Sequence, residues 1–342
     1  MVPTLPGTVS TFRRRAGLLL GAAALVLLGL ASLAVGSRQI PLTETFAALT
    51  AYDPGNDLHL IVMQLRVPRT ILAGLVGAAL GLAGAVMQAM TRNPLAEPGL
   101  LGINAGAAVA VVAGVAIFGF VDIAQYVWLA FAGAGLASGA VYLLGRAGDV
   151  DANPVRLVLA GAGLTIVLVA LTNVILLNSP DTVYNDFRNW ATGSLQGRGY
   201  TVIPIVMLAG LLGAGLAGTA AASLNAIALG ADLGKALGVR MRTTWIAASA
   251  SVLLLAGAAT AAAGPIAFVG LVAPHVARLA VGPDLRRILP ASALFAAILL
   301  LAADVLGRLV APPSEIGAGV MSALIGGPFF VLLVRRRRMA RP

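Results

Sequence analysis

The chain has 342 residues, of which 59% are hydrophobic and 11% charged. That charged share is less than half the roughly 25% typical of soluble domains, and the mean hydropathy is +0.95. So few polar side chains cannot cover a water-facing surface, which excludes an ordinary soluble enzyme and a disordered chain. The net charge of +10 does not point to nucleic acid. The arginines sit between apolar runs and in the clusters Arg13-Arg14-Arg15 and Arg335 to Arg338, as the loops of a polytopic membrane protein require. Cysteine is absent, so a disulfide or thiolate metal site has no basis and no metal site is predicted.

A helix needs about 20 apolar residues to span a bilayer. Runs of that kind fall at 16–36, 60–90, 98–119, 123–145, 154–178, 201–221, 242–264, 267–281, 287–311 and 316–335, predicting ten spans in an all-α membrane protein. The first run follows Arg13-Arg14-Arg15 and is longer than the 7–15 residues of a signal-peptide core, so it reads as a retained helix. The second is long enough to tilt. The eighth is short and begins at Gly264-Pro265, the mark of a broken or half-length helix. An even number of spans puts both termini on one side. With that side cytoplasmic, a large majority of the 23 lysines and arginines fall on inner loops, as the positive-inside rule demands.

The chain also echoes itself. Pro94-Leu95-Ala96-Glu97-Pro98-Gly99-Leu100-Leu101 reads against Pro265-Ile266-Ala267-Phe268-Val269-Gly270-Leu271-Val272, and the same offset brings Arg69 onto Arg240. Five spans separate the copies, so they would be inverted in the membrane, a common transporter architecture. Two loops carry more than a connection. Outside, 179–200 holds Tyr184 and Trp190, suited to a helix at headgroup level. Inside, 222–241 is too polar to span, and its apolar residues recur at helical spacing. It reads as one or two short helices presenting Ile227, Leu229, Leu233 and Leu237, either to a partner or to the interface.

No catalytic set emerges. The histidines, His59 and His275, are far apart in sequence, and Gly230-Ala231-Asp232-Leu233-Gly234-Lys235 is one residue short of a phosphate loop, with Ala236 where a magnesium-binding hydroxyl belongs. Asp304 is the best candidate for a buried ionisable group. It lies four residues before Arg308, so the two can pair on one helix face, and a structural ion pair is the plainer reading than an ion relay. Arg66, Arg69 and Arg308 fall outside, against the charge bias. They suit phosphates, lipid headgroups or acidic groups on a docking partner.

Four segments carry a family resemblance. Residues 65–102 (LRVPRTILAGLVGAALGLAGAVMQAMTRNPLAEPGLLG), the block GPIAFVGLVAPHVARL within 260–280, ALGADLGKALGV at 228–239 and SEIGAGVMSALIGGPFFVLLVRR at 314–336 resemble the FecCD-type permeases of ABC importers for iron–siderophores, haem and cobalamin. The resemblance implies a type II importer fold, one transmembrane domain over 1–342, and the cytoplasmic segment 222–241 as coupling helices. It implies a dimer of permease chains in the bacterial cell membrane, two cytoplasmic ATP-binding subunits, an extracytoplasmic substrate-binding protein, and no ATPase site or cofactor in this chain. Ferric siderophores are the expected cargo, with haem or cobalamin as alternatives and an ion-coupled carrier as the contrasting mechanism. Residue by residue, Arg66, Arg69 and Arg308 would dock the binding protein. Asn93 and Leu95 would form a gate with Pro154 and Val155, although Asn153-Pro154-Val155-Arg156 departs from the small hydroxyl residues of the cobalamin member. Leu229, Gly230, Leu233, Leu237 and Gly238 would couple to the ATPase.

Overall fold

The computed structural model describes residues 11–36, 38–120, 122–145 and 154–338. The helices, in chain order, are α1 (Thr11–Ala34), α2 (Leu42–Thr50), α3 (Asp57–Leu60), α4 (Val67–Thr91), α5 (Ile103–Phe118), α6 (Ile123–Leu144), α7 (Pro154–Leu177), α8 (Asp181–Ala191), α9 (Ile203–Ala228), α10 (Ala231–Ala236), α11 (Met241–Val252), α12 (Ala258–Ala263), α13 (Val269–Val281), α14 (Leu285–Val310) and α15 (Ala318–Arg338). A π-helical turn at Ile61–Arg66 joins α3 to α4, and another at Leu253–Gly257 joins α11 to α12. Among the described residues, seven helical stretches are long and apolar enough to cross a membrane, and there are three shorter apolar ones, Ile103–Phe118, Val269–Val281 and Ala318–Leu332. These ten match the ten predicted spans. The short eighth span is α13, preceded by a non-helical break at Gly264–Phe268.

The ends are set by local chemistry. α4 closes on Arg92 in the left-handed region (φ 50), and α5 lies between Gly102 (φ 72) and Gly119 (φ 65), where glycine adopts positive φ without steric cost. α6 opens with a capping box from Asp122 and Gln125, which satisfies two of the amide groups that a helix start leaves unpaired. The short helices α2, α8 and α10 lie outside the predicted spans. α2 sits on one face of the bundle, and α9 runs on to Ala228, so 222–228 is the last turns of a span, with α10 alone as the separate helix of 222–241.

Alternate passes through the bundle define two faces. The basic face carries Arg92, Lys235, Arg240 and Arg286, and the opposite face carries α2, α8 and the α14–α15 turn. α4 is the central helix. A Cβ on its Gly81 would lie 2.3 Å from the Ser292 carbonyl of α14, and one on Gly84 only 1.8 Å from the Gly270 carbonyl of α13. Backbones this close pack by dispersion where lipid supplies no hydrophobic drive. α1 and α7 are the peripheral helices, with 11% of the residues in their apolar windows buried.

The two echo segments meet inside the bundle. The Glu97 carboxylate accepts from the Phe268 N–H at 3.3 Å across a separation of 171 residues, which is the repeat offset, and Gln88 of α4 donates to the Leu271 carbonyl at 3.3 Å. The half-length helix therefore begins against α4 and the Pro94–Leu101 turn. Replacing Gly84 by Ala is expected to lower the thermal unfolding midpoint in detergent, at a cost of about 1–3 kcal/mol for forced overpacking. Gly74→Ala, on the same helix with open space around it, serves as the control and should leave the midpoint unchanged. An unchanged midpoint for both would show that α4 and α13 separate freely.

Candidate functional site

α1 ends at Ala34, so its last carbonyls have no partners within the helix. Two arginines from elsewhere supply them. Arg66 donates to the carbonyls of Leu33 at 2.8 Å and Ala34 at 2.6 Å, and also to that of Arg38. Arg308 donates to the carbonyls of Ser32 at 2.8 Å and Val35 at 3.0 Å, and to the Ser32 hydroxyl at 2.9 Å. Positive charge at a helix C-terminus also opposes the negative end of its dipole. Gly36 lets the chain pass this plug, since a Cβ there would lie 2.8 Å from an Arg66 nitrogen.

Asp304, fully buried, joins this plug to α4. Its carboxylate accepts from Arg69 Nε at 3.0 Å and Nη2 at 2.8 Å, and from Arg308 Nε at 3.1 Å and Nη2. Arg69 turns its remaining nitrogen to Glu315 at 2.6 Å. Three guanidiniums thus meet two carboxylates, leaving an excess of positive charge. A cavity of about 250 Å³, lined by Arg38, Arg66, Arg69, Arg308, Gln196 and Glu315 among others, opens beside them. The sequence-predicted docking residues Arg66, Arg69 and Arg308 do come together on one face, but Arg66 and Arg308 are buried and their hydrogen bonds run inward. The predicted Asp304–Arg308 pair is present as an i,i+4 ion pair. Sequence reasoning missed Glu315 and the α1 carbonyls. Glu315 was traceable as the acid in the short turn between the last two spans, on the side of those arginines.

On the basic face, two glycines frame α10. Gly230 (φ 130) ends the run of α9, and Gly238 (φ 81) turns the chain toward α11. Both conformations disfavour any side chain with a Cβ. Between them Leu233 and Leu237 are 48% and 62% exposed, and Leu229, just before Gly230, is 69% exposed. Leu233 and Leu237 lie one helical turn apart on α10 and its C-cap, and Leu229 ends α9 just before the break at Gly230. Ile227, predicted to be presented with them, is instead buried, because it lies on the last turn of α9, against which α10 folds back so closely that a Cβ on Gly234 would lie 3.5 Å from the Ile227 Cα. A cavity of about 440 Å³ lies between α9, Gly238 and α11, lined by Ser223, Ala226, Leu237, Arg240 and Thr244 among others.

The predicted gate residues sit on this same face. Asn93 accepts from the Leu95 N–H at 3.0 Å, forming an Asx turn after α4, and Leu95 is exposed. Pro154 opens α7, and Val155 follows it, exposed. Asn153 lies outside the described residues. α7 packs on the turn after Leu95, where a Cβ on Gly161 would lie 1.8 Å from the Leu100 carbonyl. Trp190 of α8, predicted at headgroup level, is 2% exposed and packs on Phe187, while Tyr184 is exposed as expected. The amphipathic helix was legible, but which of its aromatics faced the bundle was not.

Comparisons with known proteins agree with this architecture. The model of the FecCD transport family matches residues 24–336. The ferric enterobactin transport system permease protein FepD of Escherichia coli is 44% identical over 306 residues, covering 90% of this chain and 91% of that protein. The iron(3+)-hydroxamate import system permease protein FhuB of Bacillus subtilis is 39% identical, covering 90% of this chain and 79% of that protein. A solved metal-chelate type ABC transporter in an inward-facing conformation superposes with a TM-score of 0.82 at 26% identity, covering 94% of this chain and 99% of its own. The chain is a multi-pass membrane permease of the ABC importer type. It belongs to the FecCD transport family.

Replacing Asp304 by Leu strands Arg308 and one edge of Arg69 among apolar residues, which is expected to destabilise the folded chain by about 3–5 kcal/mol. Adding Arg308→Met should recover much of that loss, because Arg69 keeps Glu315. Thermal unfolding in detergent measures both. A double variant no better than the single would mean that the carbonyl contacts of Arg308, and not its pairing, hold this end of α14.

Proposed function

We propose that the chain is the translocating subunit of an ATP-driven importer of ferric siderophores. In this reading two permease chains pair. Their basic faces and both termini point to the cytoplasm, two ATP-binding subunits seat on the segment around α10, and a substrate-binding protein delivers cargo to the opposite face. The observation that carries the mechanism is the group of exposed leucines Leu229, Leu233 and Leu237 around α10, which Gly230 and Gly238 frame. An exposed apolar group with charged Asp232 and Lys235 beside it suits a protein groove. The cargo follows from the relatives, whose names specify ferric enterobactin and iron(3+)-hydroxamate.

Other features fit. Residues 231–236 form the helix α10, and Gly234 donates to the Gly230 carbonyl at 2.9 Å, so this backbone is used within a helix and does not cradle phosphate. ATP hydrolysis would therefore belong to a separate subunit. Asp304 is already held by two arginines, which leaves it poorly suited to carry a proton or sodium ion and argues against a secondary carrier. Closure of the ATP-binding subunits would rock the helices between two states, opening and closing the turn at Asn93 and Leu95 against Pro154 and Val155. The binding protein would present acidic groups to the cavity lined by Arg38, Arg66, Arg69 and Arg308, where opposite charge steers docking.

Deleting the gene and measuring uptake of labelled ferric siderophores, haem and cobalamin tests this directly. Uptake of a ferric siderophore should be lost. The intact chain should restore it, and a Leu233→Glu chain should restore it at least roughly tenfold less well, as expected for a charge forced into an apolar interface centre. An uncoupler applied at constant ATP should leave uptake unchanged. Loss of haem or cobalamin uptake instead would reassign the cargo. Collapse under the uncoupler would reject ATP drive, and full rescue by Leu233→Glu would reject the docking surface.

A further inference from the structure

α14 is clamped at both ends. Its 26 residues span about 39 Å at ~1.5 Å per residue. At the far end Asp304 and Arg308 hold it to α1 and α4. At the basic face the clamp is Asn225, on the last turn of α9. Its amide N–H donates to Asp284 Oδ1 at 2.7 Å, and its carbonyl oxygen accepts from the Leu285 N–H at 3.0 Å. Asp284 is the N-cap of α14 and also accepts from the Arg286 N–H at 3.0 Å.

This clamp has a defined sense. Burial acts to raise the pKa of Asp284, but the Asn225 amide, the Arg286 N–H and the nearby Arg287 and Arg286 charges outweigh it and hold the carboxyl below its ordinary range. An ionised carboxylate only accepts, so the Asn225 amide has a fixed orientation, with NH2 toward Asp284 and oxygen toward Leu285. Pro290 lies one turn into α14 and removes the rung to the Arg286 carbonyl. The first turn of α14 is thus weakened in its own ladder and held from outside by Asn225. Four residues after Asn225 the chain reaches Leu229, the first of the exposed leucines.

We infer that Asn225 and Asp284 are positioning residues of the transport cycle, linking movement of the α10 segment to α14 and so to the Asp304 cluster on the opposite face. This rests on the reading of α10 as the ATPase-docking segment. A displacement of α10 pulls on the end of α9. Asn225 carries it to the N-terminus of α14, and the helix delivers it to the residues that close α1 and α4. A physical warrant of this kind requires contiguous contacts with two arrangements. The contacts are present, and the experiment tests whether they carry the coupling.

The test uses the complete importer in liposomes, with its ATP-binding subunits and its substrate-binding protein, and reads ATP hydrolysis with and without loaded binding protein. Asn225→Asp sets two carboxylates against each other. It is expected to leave co-purification of the ATP-binding subunits intact and to cut stimulation by the binding protein by about tenfold, within the ordinary range of coupling between sites. Asn225→Asp combined with Asp284→Asn restores a donor facing an acceptor in the reversed sense, and should return stimulation to within about twofold. Normal stimulation in the single variant overturns the proposal, as does a double variant as impaired as the single. Loss of co-purification in Asn225→Asp also overturns it, by making Asn225 part of docking or of the local fold. Leu233→Glu, read in parallel, separates the premises: co-purification that survives this change rejects the docking reading, whatever Asn225 does.

Discussion

A carboxylate with no solvent exposure must be paired or neutral, because burying an isolated charge costs far more than a fold can supply. Asp304 is such a carboxylate, and its pairing with Arg69 and Arg308 organises one whole face of the bundle. The two arginines are on α4 and α14, the central pair of helices. Arg308 also closes the end of α1, and Arg69 reaches Glu315 in the turn before α15. Four helices are therefore registered against one another through one carboxyl group. Apolar packing alone sets such a register weakly in a membrane, where lipid competes for the same dispersion contacts. Charged groups with directional hydrogen bonds fix it.

The opposite requirement governs the middle of the bundle. Polar groups there are few, and the helices are held by backbone proximity. Gly77, Gly81 and Gly84 make a stripe along α4 that meets α14 and then α13. Where the backbone leaves helical geometry, at Gly264–Phe268 and at Pro94–Leu101, the two irregular stretches find each other, and Glu97 accepts from the Phe268 amide. This satisfies the rule that a non-helical backbone at membrane depth must lie against protein. It also puts the only acidic residue of the first echo segment at the start of a half-length helix, where the dipole favours negative charge.

The sequence carried the spans well, because each depends on about 20 successive side chains and tolerates errors of a few residues. It carried the glycine-framed α10 for a related reason: Gly230 and Gly238 break the helical pattern on either side of Leu233 and Leu237. What it could not carry was orientation about a helix axis. Ile227 and Trp190 are apolar residues on amphipathic stretches, and whether such a residue faces a neighbour or solvent depends on elements that arrive from elsewhere in the chain, here α10 and the bundle beneath α8. The same limit hid the use of the arginines. Position told that Arg66, Arg69 and Arg308 share a face; it did not tell that unpaired carbonyls at the end of α1 would claim two of them. α2 was missed because nine residues of mixed polarity make no periodic signal long enough to separate from a loop.

The arrangement has a consequence for how transport can be driven. Rigid contact at both ends of α14 and glycine-close packing between them make the helices around α4 move together or hardly at all, since packed interfaces favour discrete alternatives over continuous bending. The peripheral helix α7, by contrast, is largely exposed, and it begins at Pro154 and packs at Gly161 on the Leu100 carbonyl, in the turn that follows Leu95. A force applied at α10 thus meets a stiff unit centred on α4, α13 and α14 and a looser helix beside it. In the proposed importer, relative movement between the two would change the spacing at Leu95 and Val155 without breaking any of the buried ion pairs. Access would then switch at the basic face while the Asp304 cluster stays intact.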